Sequence, residues 1–359
     1  MPLEANSMHR KRAAAFAALW VAATIFSAAL AGAQDNVFVA EDGVNTGSVG
    51  AYSVSFGPDS ASGSIVNPSL ITTPAAGATT EVRVTLATDG LGDLFVGEWA
   101  SGSTATIGEY SLSGTAINSS LLTLPDSSGA LQLAADAQGH LFVAVGDTVS
   151  EYTTGGTLLN SFTAGPGGLL NTANISALAV DSADDLYTAY TTGDPLQGRA
   201  YNGVIGKYTA SGSPISTSLI RTPNFINALA VGGGNVFVSI QDGPPDLVNR
   251  IDEYTTDGSL VDTGLISGVS GHLALDGQGH LLVDSYGDGT IAAYTTSGVL
   301  LNSTVVSGAG GAEDLVVIAT PEPSALMLGL VGLAAAVGMR CSPKKERFKT
   351  ILDAPADIA

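Results

Sequence analysis

Apolar residues in the middle of this chain come in short runs, broken by turns rich in Gly, Ser, Thr and Asp. That pattern predicts β-strands throughout. The runs also repeat. A small apolar strand is followed by a tight turn and a second apolar strand. A third strand then ends in Tyr and a Thr/Ser-Gly turn. The clearest copy runs from His272 to Asp276, through Leu281–Val283, to Ile291–Tyr294 and Gly298. Other copies begin at Val84, Leu131, Ala177 and Ala228. An Asp closes the first strand at Asp89, Asp136, Asp181 and Asp276, with Gly232 in that place in the remaining copy. The Tyr residues recur every 40–58 residues, the period of a propeller blade. Each unit is then a four-stranded antiparallel sheet that covers its faces only by stacking on its neighbours around an axis.

A sixth copy is divided between the two ends of the repeat region. Asp35–Ala40 supplies a second strand and Val49–Tyr52 the Tyr strand, while the missing first strand is Leu315–Ala319. Pairing them closes a ring and removes its open sheet edge. The expected fold class is therefore all-β, a six-bladed β-propeller over residues 34–320. Its first and last strands pair, and an N-terminal signal helix and a C-terminal transmembrane helix flank it.

The flanks carry their own pattern. A basic cluster at His9–Arg12 precedes the uncharged apolar stretch Ala13–Leu30. Ala31, Gly32 and Ala33 then offer a small-residue cut before Gln34, the layout of a secretory signal peptide over residues 1–33. At the other end Pro321, Glu322 and Pro323 stand before the apolar run Ser324–Met339, and Arg340, Lys344, Lys345, Arg347 and Lys349 follow. The positive-inside rule keeps that basic side cytoplasmic and leaves the body outside the cell. This ending resembles the PEP-CTERM sorting tail of exported bacterial proteins. The resemblance implies an exosortase-type processing enzyme, cleavage near the triplet, and release to the cell surface or extracellular matrix. Secretion machinery is the other implied partner. Residues 321–349 form the sorting tail, with 324–339 as its transmembrane helix, and 350–359 extend beyond the family pattern. The single cysteine, Cys341, falls at the cytoplasmic boundary and reads as a spectator thiol.

Composition narrows the function. The body has no cysteine, so a packed core rather than disulfides must hold it outside the cell. It carries 28 acidic and 5 basic residues, a net of −23. Such a field disfavours nucleic acid and anionic lipid and attracts cations.

The repeats resemble NHL-type and SMP-30/gluconolactonase-like six-bladed propellers over residues 36–319. That likeness implies a fold much more than an activity. A lactonase of that type would use a metal, which makes the carboxylates at second-strand ends candidate ligands: Glu41, Glu98 and Asp284. Antiparallel partners keep a constant index sum, so pairing Leu273 with Val283 sets His272 opposite Asp284. Glu41, Glu98, Asp284 and His272 are thus one candidate site for Ca²⁺ or Mg²⁺. Solvated rim carboxylates beside a local His–Asp pair are the other reading. His140 and His280 share a turn position and read as structural. The segment Asp181–Asp185 lacks the Gly and closing Glu of a calcium loop and reads as the blade turn. No G-x-S-x-G elbow or Gly-rich phosphate loop is present. Trp99 is placed either at the funnel mouth or against a neighbouring blade. Pro58–Thr80, Thr191–Tyr201 and Asp242–Asn249 are expected to be inserts, the last two on the carboxylate face. The function expected is a cell-surface or matrix module, binding polysaccharide or protein, or purely structural. The rival is an SMP-30-type metal-dependent lactonase.

Overall fold

The pleat of a half-buried strand puts every second side chain on one face. The short apolar runs do this around a full ring. A computed structural model describes residues 34–44, 46–74, 81–100, 104–124, 131–165, 174–192, 202–241, 249–285, 289–309 and 312–319. The expected signal segment 1–33, the sorting tail 321–349 and the extension 350–359 lie outside these residues. So do most of the two inserts at 193–201 and 242–248. Among the described residues no helix is long and apolar enough to cross a membrane.

Six antiparallel sheets form six blades. Blade 1 runs, axis outward, Ala312–Ile318, Gln34–Glu41, Thr46–Gly57 and Ser60–Pro74. Blade 2 is Glu81–Thr88, Asp93–Ala100, Ala105–Ser111 and Ala116–Leu124, with the short strand Gly43–Val44 added beside the first. Blade 3 is Leu131–Ala135, His140–Val145, Thr148–Thr153 and Leu158–Thr163. Blade 4 is Ile175–Val180, Asp185–Thr192, Asn202–Thr209 and Pro214–Thr222. Blade 5 is Phe225–Gly232, Asn235–Gln241, Arg250–Thr255 and Leu260–Ser267. Blade 6 is Leu273–Leu275, His280–Ser285, Thr290–Thr295 and Leu300–Ser307. The expected closure is present, with Val39 opposite Leu315 and Asn36 opposite Ile318. One expectation changes: Pro58–Thr80 is mostly the long outer strand of blade 1, not an insert.

The core is six seams rather than one centre. Each apolar cluster joins two neighbouring blades. Val39, Tyr52 and Leu315 of blade 1, for example, pack with Leu282, Ile291 and Val306 of blade 6. The recurrent Asp ties the first turn of its blade. Asp136 Oδ1 accepts the Gln138 and His140 amides, and Asp276 Oδ1 those of Gln278 and His280. His140 Nδ1 then lies 2.7 Å from Asp136 Oδ2, and His280 bonds Asp276 in the same way. These histidines are therefore structural. His280 also stacks on Phe56 of blade 1 across the closing seam. Asp181 repeats the turn, accepting from Ala183 and Asp185, while Lys207 pairs with Asp185 at 2.9 Å.

The Thr/Ser-Gly turns have a role the repeat pattern did not show. Each places its glycine against the outer strand of the preceding blade. Gly258 meets Leu219 and Gly298 meets Leu265. These glycines have φ near +85°, and a Cβ on Gly298 would stand 2.6 Å from the Leu265 carbonyl oxygen. Conformation and space both require glycine. Gly298→Ala is expected to cost about 2–3 kcal/mol, while Gly90→Ala, at φ +71° in open space, costs about 1 kcal/mol. Thermal melts of the two variants check this; equal losses would remove the latch.

Candidate functional site

The inner strands run down the axis and line the space along it. One layer of six positions, one per blade, is entirely polar: Asp314, Thr85, Gln132, Ser176, Asn227 and His272. Two residues further along each strand the layer is entirely aliphatic: Val316, Ala87, Ala134, Leu178, Leu229 and Ala274. Five members of the polar layer, Thr85, Gln132, Ser176, Asn227 and His272, floor a mouth cavity of about 190 Å³, walled by Arg83, Trp99, Phe225 and Glu313. A second space of about 230 Å³ continues along the axis past the aliphatic collar. Trp99 satisfies both expectations, since it lines the mouth and packs on the seam between blades 2 and 3.

His272 is the most tightly built member of the ring. Asp284, 1% exposed, receives the His272 backbone N–H at 3.0 Å through Oδ1 and meets Nδ1 at 3.0 Å through Oδ2. The Asp284 amide donates to the His272 carbonyl at 3.1 Å, which completes the pairing expected from the index sum. Gly271 before it donates to Ser239 Oγ of blade 5. A Cβ at Gly271 would overlap the Asp284 carboxylate, so this close approach needs glycine. Burial alone would lower the imidazole pKa. The Asp284 hydrogen bond and the fields of Asp284, Asp314 and Glu313 outweigh it and hold the group above its ordinary value.

Asp314 crosses the seam between blades 1 and 2. Its Oδ2 accepts both the Thr85 hydroxyl and the Leu86 amide of blade 2 at 2.8 Å, and Oδ1 accepts the Leu315 amide at 2.9 Å. Burial raises its pKa; the charge on His272 and these donors only partly offset that. Above it Arg83 faces Glu313 at 3.7 Å.

The four-residue metal site is corrected. Glu41 pairs with Ser48 and Glu98 with Thr106, but Asp284 pairs with Ile291, whose counterparts Val49 and Ile107 face Ala40 and Gly97. Asp284 is one position out of register with the two glutamates, so its side chain leaves the opposite face of its strand. Only His272 and Asp284 come together. Glu41 receives the Tyr52 hydroxyl at 3.4 Å, and burial raises its pKa. Glu98 meets Thr73, and burial pushes it to about 7. Among the described residues no group of three His, Cys, Asp or Glu side chains is placed to hold a metal ion. The processing residues Pro321, Glu322, Pro323, Arg340, Lys344 and Lys345, and the cut-site residues Ala31 and Ala33, lie outside the described residues.

The polar ring escaped the sequence reading, although a signal existed. Thr85, Gln132 and His272 each stand four residues before the recurrent Asp. In blades 4 and 5 a register shift after Ile175 and after Ile226 adds a residue and hides Ser176 and Asn227.

Ring, seams and axial mouth define a six-bladed β-propeller. Solved structures resemble this chain at low identity. A protein of unknown function from Bacteroides caccae is 13% identical, with 80% of this chain and 99% of that one covered and a TM-score of 0.51. A putative 6-phosphogluconolactonase from Bacteroides fragilis is 10% identical, covering 79% and 97% at a TM-score of 0.48. A gluconolactonase from Xanthomonas campestris is 18% identical, covering 66% and 82% at a TM-score of 0.45. These likenesses are to the fold. No family model matches the sequence, and no curated protein matches it.

Proposed function

We propose that this chain is an exported binding module of the cell surface or extracellular matrix, and that it holds the end of a polysaccharide in its axial mouth. The observation that carries this reading is the six-membered polar ring over an aliphatic collar. Two hydroxyls, two side-chain amides and an imidazole give the mouth donors and acceptors around its floor, which suits a sugar's many hydroxyls. Trp99 and Phe225 in the wall offer apolar faces for the C–H face of a sugar ring. The aliphatic collar beneath disfavours a hydroxylated ligand passing deeper. Export rests on the residues at the two ends. The basic cluster, apolar stretch and Ala31–Ala33 cut site feed the secretion machinery. The Pro321–Pro323 triplet, the apolar run and the Arg340–Lys349 cluster suit an exosortase-type enzyme. The net of −23 on the body keeps it off anionic surfaces after release.

Protein recovered from the surface of the producing cell is expected to begin at Gln34 and to lack residues 324–359 by intact mass. On a glycan array it is expected to retain neutral oligosaccharides. Gln132→Leu and Asn227→Leu, each removing one amide, are expected to weaken binding about tenfold at unchanged melting temperature. Retention of no glycan, or equal binding by both variants, would sink the mouth reading.

A further inference from the structure

Among the described residues, ten of the eleven exposed large apolar side chains sit at one place in the repeat. In blade 1 they are Ile65 and Val66, inside the outer strand with Ile65 opposite Tyr52; in blades 2 to 6 they follow the Thr/Ser-Gly latch at the start of the outer strand, as in Leu158, Leu260 and Leu300. The three pair with Tyr152, Tyr254 and Tyr294, the same register position in three blades. A scattered exposed Leu needs no explanation, but one position exposed all around a ring forms a belt.

The charge distribution says what the belt meets. The chain has 33 acidic residues, yet the six outer strands hold one of them, Asp262, and one basic residue, Arg221. The circumference is therefore neutral on a strongly acidic body. It is also an edge, since each outer strand ends its sheet and presents an unpaired row of backbone groups. Edges are usually blunted by charge or proline. Blade 1 has Pro68 and blade 4 has Pro214, but the outer strands of blades 2, 3 and 6 have neither device. Two identical acidic bodies repel through their charged rims and approach at least cost through neutral belts.

We propose that the belt is a homotypic contact surface, on which a second copy of this chain packs edge to edge through the outer strands of blades 2, 3 and 6. The proposal is independent of the axial mouth, because the outer strands are the strands furthest from it. Several such edges on one ring make the contact repeatable, which suits lateral assembly in a surface layer.

The test is sedimentation velocity of the full chain over a concentration series at low and high salt. Wild type is expected to associate reversibly and more strongly at high salt, because salt screens the repulsion between acidic bodies. The triple variant Ile117→Lys/Leu158→Lys/Leu300→Lys, one change in each of blades 2, 3 and 6, is expected to need at least tenfold higher concentration for the same association. Its added lysines lower the net negative charge, so general electrostatics alone would make it associate more. That opposite sign separates the belt from the charge. The three positions are about half exposed, so the melting temperature and the glycan retention of the variant are expected to match wild type. Wild type that sediments as a monomer throughout, or a triple variant that associates like wild type, overturns the proposal. So does association of wild type that weakens with salt.

Discussion

A chain ending at Gly311 is expected to lose cooperative folding, although it keeps all but one of the strands. The missing segment is the inner strand of blade 1. Its Leu315 lies in the seam between blades 6 and 1, and Val316 and Ile318 pack on the seam between blades 1 and 2. Asp314 clasps Thr85 and Leu86 of blade 2. Full burial of a Val, Leu or Ile side chain stabilises by about 1.5–3 kcal/mol; Leu315 is fully buried and Val316, Val317 and Ile318 partly so, and together they contribute roughly 4 kcal/mol or more. Domain stability is only about 5–15 kcal/mol, so the loss is a large share of the whole. Removal also bares the edge of Gln34–Glu41, whose groups pair with Ala312–Ile318 from Asn36 to Glu41. Circular dichroism melts and limited proteolysis check this. The comparison is a chain ending at Thr320, which keeps the strand and is expected to melt sharply. Equal, sharp melts for the two chains would show that the ring does not depend on its closure.

That closure could be read from the sequence because it depends on the number of strands in the repeat and not on their register. A blade with a second and a third strand but no first must find the missing one elsewhere, and Leu315–Ala319 had the right pattern. The His272–Asp284 pair was legible for a related reason. It needs only local hairpin register, and one hairpin fixes it. The metal quartet failed because it compared registers between blades. Glu41 and Glu98 hold the same strand position, Asp284 the one before it, and a one-residue difference turns a side chain to the other face. The axial ring failed through the same sensitivity, since added residues at Ser176 and Asn227 break the four-residue offset from the turn Asp. The latch glycines read as turn residues, but their contact is with the neighbouring blade. Local pattern carries no information about which strand of the next blade lies there.

Glu98→Gln is expected to stabilise the protein above neutral pH and to leave it unchanged in acid. Glu98 stands at the end of a second strand where burial pushes its carboxyl to about 7, from an ordinary 4.5. The Thr73 hydroxyl opposes this only weakly. That hydroxyl has one proton, and the Gly47 carbonyl 3.2 Å away accepts it. An ionised Glu98 would compete for the same proton, whereas a protonated Glu98 can donate to Thr73 Oγ1. The folded protein therefore holds a proton on Glu98 where the unfolded chain releases it. A group whose folded pKa is raised contributes stability below the unfolded value, and that stability is lost as pH rises through the folded one. The window is therefore about pH 4.5 to 7. A displacement this large corresponds to about 3 kcal/mol at most, and to about 2 kcal/mol once partial exposure is allowed for. Glutamine keeps the shape and the donor but never ionises. Wild type and variant should melt together near pH 4 and separate progressively, with the variant higher by several degrees at pH 8. A constant offset at every pH would mean that Glu98 does not titrate in this range. A variant that is less stable at pH 8 would mean that the ionised carboxylate has partners strong enough to outweigh its burial.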